Sequence, residues 1–161
     1  MGSEITPNPA LGLSLYNWAA TLQNARKNEE AEPVFREVIA AYETFHWKDE
    51  PYLAAAHNGL AKCLDGRGEF AEADPMYQKG LQMRRQLDKT PNMDLGYSLN
   101  DFGDALLRRK EYAAAEPYWR EYVSVCEAAA PPGDWRKLAA KSGLGSCLAA
   151  MGRFAEAEPL L

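Results

Sequence analysis

The side chains in this 161-residue sequence most able to do chemistry near neutral pH are two histidines and three cysteines: His46, His57, Cys63, Cys126 and Cys147. An imidazole within reach of a thiol would supply a nucleophile and its base. His57 and Cys63 lie six residues apart on a stretch with helical periodicity, so about 240° of rotation keeps them from a common substrate. His57 therefore reads as a histidine in a packed helix interface, and His46, beside Trp47 in a connection, as surface. Cys63 and Cys147 read as small, semi-buried apolar residues. No Cys-x-x-Cys pair occurs and the cysteine count is odd, which suits a reducing compartment better than a disulfide framework. No His, Cys, Asp and Glu group has metal-ligand spacing. Gly66-Arg67-Gly68 and Gly143-Leu144-Gly145 lack the Gly-Lys-Ser/Thr of a phosphate loop and follow helices, not strands. The expectation is no catalytic residue, no metal, no cofactor and no enzyme.

Charge excludes further classes. A formal charge of −5 and a pI near 5.1 argue against nucleic acid or anionic lipid as the main partner, since both attract a positive surface. No run approaches the roughly 18 to 20 apolar residues of a membrane span, and no signal-peptide pattern opens the sequence. A soluble, cytoplasmic protein is expected. Met1-Gly2-Ser3-Glu4-Ile5-Thr6 meets the loose myristoylation pattern and equally resembles an expression scar.

The elements that would position any site follow from a repeat. Ala31-Glu32-Pro33, Ala73-Asp74-Pro75, Ala115-Glu116-Pro117 and Ala157-Glu158-Pro159 recur at a spacing of 42. Twelve residues before each alanine stands a small residue, Ala19, Ala61, Gly103 or Gly145, and three after that Leu22, Leu64, Leu106 or Leu148. Trp18, Leu60, Phe102 and Leu144 precede the small column. Apolar residues keep helical spacing in a first helix, A (Leu15, Trp18, Ala19, Leu22 in repeat one; Leu99, Phe102, Gly103, Leu106 in repeat three). A second helix, B, is expected to bury Ala31, Phe35, Val38, Ile39 and Tyr42 in repeat one, and Ala115, Trp119, Tyr122, Val123 and Cys126 in repeat three. Small residues facing large ones let such helices approach closely.

Punctuation falls at the same period. Asn8, Asn92 and Asp134 stand where A helices should begin and can cap free backbone donors; Glu50, with Asp49 beside it, holds that column in repeat two. Pro9 and Pro51 follow at the first helical position. Pro33, Pro75, Pro117 and Pro159 are expected in the opening turn of each B helix, where the missing N–H costs nothing. Gly66-Arg67-Gly68 and Gly152 would supply A-to-B turns, and Ala130-Pro131-Pro132-Gly133 would separate repeats three and four. Acidic runs at B-helix starts and basic residues near helix ends, Arg84-Arg85 and Arg108-Arg109-Lys110, are expected mainly to complement helix dipoles.

This order of residues resembles the tetratricopeptide repeat: a small residue, Leu three on, Gly-x-aromatic (Gly68-Glu69-Phe70, Gly152-Arg153-Phe154), Ala, then an aromatic four on (Phe35, Tyr77, Trp119). The 42-residue period with Ala-Glu-Pro resembles the kinesin-light-chain subtype. Arg26-Lys27-Asn28, without the Gly and aromatic, and Tyr122, where the family prefers Ala, depart from the pattern. The resemblance implies an all-α, right-handed superhelical solenoid of antiparallel helix pairs spanning residues 9–161, after a flexible segment 1–8. Its repeats would be roughly 9–49, 50–91, 92–133 and a truncated 134–161. Repeat four reaches only nine residues into its B helix, so an open end with Phe154, Leu160 and Leu161 is expected to invite self-association or cover by further sequence.

The A helices would line the concave side, with Tyr16, Ala20 and Gln23; Asn58, Lys62 and Asp65; Asn100, Asp104 and Leu107 with Arg108; and Ser142, Ser146 and Ala149 on one face of each. The resemblance implies that Asn58 and Asn100 hydrogen-bond the backbone of an extended peptide, with Tyr16 and Ser142 replacing them in the outer repeats; an amide, as donor and acceptor, suits any peptide unit. A structural use of these amides between helices is the alternative. At the level of function the leading reading is a protein–protein interaction scaffold, and the rival is a ligand-sensing array within a larger kinase or transcription regulator.

Overall fold

The structure, a computed structural model, describes residues 9–47, 50–87 and 90–161, with the side chains of Pro9 and Glu50 outside the description. The described residues form α1 (Pro9–Asn24), α2 (Asn28–Phe45), α3 (Glu50–Gly66), α4 (Phe70–Leu87), α5 (Met93–Arg108), α6 (Tyr112–Ala129), α7 (Trp135–Ala150) and α8 (Phe154–Ala157), then a 3-10 turn (Glu158–Leu160). No strand occurs among them. Odd-numbered helices are the A helices and even-numbered ones the B helices, and none among the described residues is long and apolar enough to cross a membrane. The expected cap Asn8, the Gly2 modification pattern and Asp49 lie outside the described residues.

Contacts divide the chain into two compact units between Met83 and Arg84. In the first, α1 packs on α2 and α2 on α3, around the buried Ala19, Ala31, Phe35, Val38, Leu60 and Leu64. In the second, α5 packs on α6 and α6 on α7, around Leu99, Phe102, Leu106, Trp119, Cys126 and Leu148. A B-helix aromatic is the wedge in each: a β-carbon at Gly59 would overlap the ring of Phe35, and one at Gly143 the ring of Trp119. Close approach of the helices therefore requires glycine at these two positions.

Three apolar assignments change. Trp18 is 54% exposed, while Leu60 and Leu144 in its column are buried. The face of α1 nearest Trp18 carries Ala10, Ser14, Asn17 and Thr21, all exposed; the Ser14 and Thr21 hydroxyls donate back to the Ala10 and Asn17 carbonyls at 2.9 and 2.7 Å. With only solvated residues on that side among those described, Trp18 has little to bury against. Ile39 and Val123 are half-buried, and Val34 and Val125 take their places inside.

The prolines also move. Pro33, Pro75 and Pro117 lie beyond the opening turn, five residues after the starts of α2, α4 and α6. By then Ala31, Ala73 and Ala115 already donate to the carbonyls of Lys27, Glu69 and Glu111, at 2.9, 3.0 and 2.9 Å. Each proline therefore removes one bond of the second turn instead of none, and it does so on an exposed face where water can serve the freed carbonyl. Pro159 lies in the 3-10 turn. Glu50 is the first residue of α3, not its cap. Asn92 and Asp134 do cap, accepting from the backbone N–H of Leu95 at 3.0 Å and Arg136 at 2.9 Å.

The four A-to-B turns share a left-handed residue at the 42-residue period: Arg26 (φ 60°), Gly68 (φ 82°), Lys110 (φ 64°) and Gly152 (φ 77°). Glycine takes this conformation freely, whereas a β-carbon strains it by about 1–2 kcal/mol. Replacing Arg26 or Lys110 with Gly should raise stability by about 0.5–1 kcal/mol each once glycine's unfolded-state entropy is counted. Gly68→Ala and Gly152→Ala should lower it; chemical denaturation of the four variants checks the signs.

Candidate functional site

The residues expected on the concave face fall into two sets, one in each compact unit. In the first unit, α1 presents Tyr16 and Gln23, and α3 presents Asn58, Lys62 and Asp65. Tyr16 is half-buried, its ring 6.3 Å from that of Phe35 and 5.6 Å from that of Tyr52. The Gln23 amide is committed to the neighbouring A helix: its Nε2 donates to the Gly59 carbonyl at 2.8 Å and to the Cys63 thiol sulfur at 3.4 Å. Asn58 and Asp65 are half-buried and Lys62 is exposed, at spacings that place all three on one side of α3.

In the second unit, α5 presents Asn100, Asp104 and Arg108, and α7 presents Ser142. Arg108 Nη1 donates to the Asp104 carboxylate one turn earlier, so these two charges largely cancel. Asn100 is half-buried and Ser142 exposed, and neither side chain has a hydrogen-bond partner among the described residues.

Periodicity alone did not single out the aromatic and apolar residues beside this set. Tyr97 is 49% exposed, Trp135 71% and Leu138 72%. Arg136 Nη1 donates to the Tyr97 hydroxyl at 2.5 Å, and the same guanidinium holds the Asp134 carboxylate at 2.5 Å. That bond and the Arg136 backbone N–H keep the Asp134 carboxyl down at about 2. The arrangement fixes the start of α7 and orients Tyr97. It has no nucleophile–base pair, and no group of three or more metal-ligating side chains occurs among the described residues.

The acidic and basic runs do more than face helix dipoles. Arg36 bonds Glu32 in its own helix at 3.2 Å and Glu72 in α4 at 2.7 Å, and Arg67 reaches Glu32 at 2.5 Å. Arg120 likewise joins Glu116 at 2.7 Å to Glu156 at 3.5 Å, and Arg153 reaches Glu116 at 2.7 Å. The Arg36–Glu72, Arg67–Glu32, Arg120–Glu156 and Arg153–Glu116 pairs link one repeat to the next at the surface, where solvent screens them and each contributes little.

The sequence pattern of the tetratricopeptide repeat matches residues 11–86 and again residues 95–134. The chain belongs to the tetratricopeptide repeat family. No match is found among curated protein sequences. Among solved structures the chain is similar to BtubC (BKLC) from P. vanneervenii, with a TM-score of 0.83 at 17% identity over 94% of this chain, and it spans 60% of that protein's length. It is also similar to a putative kinesin light chain with nearly identical TPR-like repeats from Podosopora anserina, with a TM-score of 0.80 at 18% identity over 95% of this chain and 72% of the other. Its fold is thus an all-α helical-repeat solenoid of the kinesin-light-chain-like kind. Tetratricopeptide repeats are in general non-catalytic protein-interaction scaffolds.

The remaining candidates for chemistry are interior. Cys63, Cys126 and Cys147 are all buried and free, and burial pushes each thiol above its ordinary range, away from the thiolate a nucleophile needs. His46 is exposed, in a left-handed conformation at the end of α2. His57 is 4% exposed, and neither ring nitrogen has a hydrogen-bond partner among the described residues. Burial, aided by the charge of Lys79, lowers its pKa to about 4. The folded state therefore holds a neutral ring that the unfolded chain would protonate below about 6.5. The associated stability is fully present above that value and is lost as pH falls through about 4, amounting to about 2 kcal/mol by pH 5. His57→Leu, the residue of the same column at Leu15 and Leu99, should abolish this share of the acid sensitivity. Urea denaturation of both proteins at pH 7.5 and pH 5 measures the difference.

Proposed function

We propose that the chain is a scaffold that holds an extended peptide segment of a protein partner along the A helices, with Asn58 and Asn100 bonding the peptide backbone. The observation that carries this reading is the Asn100 side chain: a half-buried amide with its hydrogen-bonding groups unclaimed among the described residues. Its polar atoms are open to water, so a ligand's peptide unit can bond them in exchange for solvent. Ser142 offers a hydroxyl in the same column of the next A helix, and Lys62 a cation in the first unit. Gln23 and Tyr16 shape the walls in this reading, because their side chains are already engaged with α3. The mutually neutralised Asp104 and Arg108 leave backbone contacts, not long-range charge, to set affinity.

The apolar surface near the end of the chain supports a second use, self-association. Phe154 is 69% and Leu161 71% exposed, and an open cavity of about 420 Å³ between them is lined by Ala149, Ala155, Ala157 and Glu158.

Replacing Asn58 and Asn100 together with Ala should change stability by no more than about 0.5 kcal/mol at Asn100 and by more at Asn58, whose amide oxygen is buried. Affinity for a peptide selected from a library with the wild-type protein should fall by about 1–3 kcal/mol, or roughly five- to 150-fold. Calorimetric titration with the folded double variant decides. Unchanged affinity moves the site elsewhere, a collapse in melting temperature makes the amides structural, and selection of small ligands instead of peptides favours the sensor reading.

A further inference from the structure

One face of the A helices is buried in three of them and exposed in α1. Ser14, Trp18 and Thr21 share that face and are all exposed. At the 42-residue period the column of Trp18 is buried as Leu60, Phe102 and Leu144, and that of Thr21 as Cys63, Ala105 and Cys147. The face of α1 is nevertheless equipped for burial. Its two hydroxyls donate to carbonyls of their own helix, and Ser98, the buried counterpart of Ser14, does the same to the Asp94 carbonyl at 3.2 Å. Covering these hydroxyls therefore strands no donor.

The last repeat holds an unfilled seat for such a face. In the first unit α3 is gripped by Gln23, whose amide donates to the Gly59 carbonyl, and by the ring of Phe35 on Gly59. Ala149 and Leu161 stand in the columns of Gln23 and Phe35, and both line the open cavity of about 420 Å³. Leu161 rests on Gly145 of its own repeat, as Trp119 does on Gly103, and most of its remaining surface is exposed. Charge matches in the same register. Arg153 holds Glu156 at 2.7 Å and Glu116 of the preceding repeat at 2.7 Å. Lys27, in the column of Arg153, holds Glu30, in the column of Glu156, at 2.9 Å. The glutamate that completes this trio has its counterpart in Glu158, which is exposed in the column of Glu116.

We infer that copies of this chain associate head to tail, α1 of one copy seated on α7 and α8 of another in the place of a following A helix. The inference rests on the self-association reading above and gives it a geometry. Trp18 covers the apolar cavity, and Lys27 reaches Glu158. Volumes match as well: Phe35 and Trp119 each need a glycine opposite, whereas the smaller Leu161 leaves room for Asn17, which holds the column of Gly59 and Gly143. A head-to-tail pair keeps one free head and one free tail, so association continues beyond two copies.

The test is sedimentation of the 161-residue protein over a range of concentrations. The mass of the wild type should rise with concentration past that of a dimer. Trp18→Glu removes the head and Leu161→Glu the tail; both side chains are exposed, and circular dichroism checks that the variants stay folded. Each alone should remain a monomer at concentrations at least about thirtyfold above those at which the wild type associates. Their equimolar mixture should form dimers and nothing larger, because one intact head then meets one intact tail. Glu158→Lys should weaken wild-type association severalfold, and adding Lys27→Glu in the same chain should restore it. A wild type that stays monomeric throughout would overturn both this inference and the self-association reading. Association of Trp18→Glu alone at wild-type strength, or a mixture that stays monomeric, would overturn the head-to-tail arrangement and leave self-association standing.

Discussion

Each compact unit depends on one steric requirement: a flat aromatic side chain on a B helix, Phe35 or Trp119, must find a glycine on the next A helix. Trp119 meets it most fully. Its indole edge lies against Gly103 of its own repeat and its six-membered ring against Gly143 of the following one. A single residue thus closes a helical hairpin and joins it to the next, which is why small columns and aromatic columns recur at one period. The caps, turns and ion pairs act on elements whose spacing this insertion has already set, at energies of a kilocalorie or less against the several of a buried ring.

Because the other faces are committed to that packing, the exposed side of the A helices is where side chains can change without altering the array. The two sets of polar residues there differ in character. On α3 they are asparagine, lysine and aspartate, whereas on α5 and α7 they are an unengaged amide, a closed ion pair and a serine beside exposed Tyr97 and Trp135. Equivalent positions in a repeat therefore present different chemistry in the two units.

Most of the architecture was legible in the sequence because it rests on side-chain volume, and volume repeats visibly. The small columns, the B aromatics, the interior setting of His57 and the caps at Asn92 and Asp134 all follow from residue type and spacing. Trp18 departs from its column because residue type does not fix which side of a helix is packed, and Ser14, Asn17 and Thr21 beside it are all exposed. The prolines lie deeper in the B helices than their spacing suggests, because the first turn is fixed by the left-handed residue and the backbone bond after it, both weakly encoded when Arg26 or Lys110 replaces glycine. Of the candidate site, the placement of its residues on A helices was legible and the commitments of their side chains were not. Nothing local to Gln23 announces that its amide bonds a carbonyl 36 residues away, nor does the spacing of Tyr97 and Arg136 reveal their contact.

The setting of Trp119 has an optical consequence. Its indole N–H is buried without an acceptor among the described residues, and the side chain is 5% exposed, whereas Trp18 and Trp135 are mostly in water and Trp47 is half-buried against Tyr42 and Phe45. An indole in a dry, rigid cleft emits at shorter wavelength than one that water can relax around. The blue edge of the chain's intrinsic fluorescence thus originates at one place, the seam where the third repeat is stitched to the fourth.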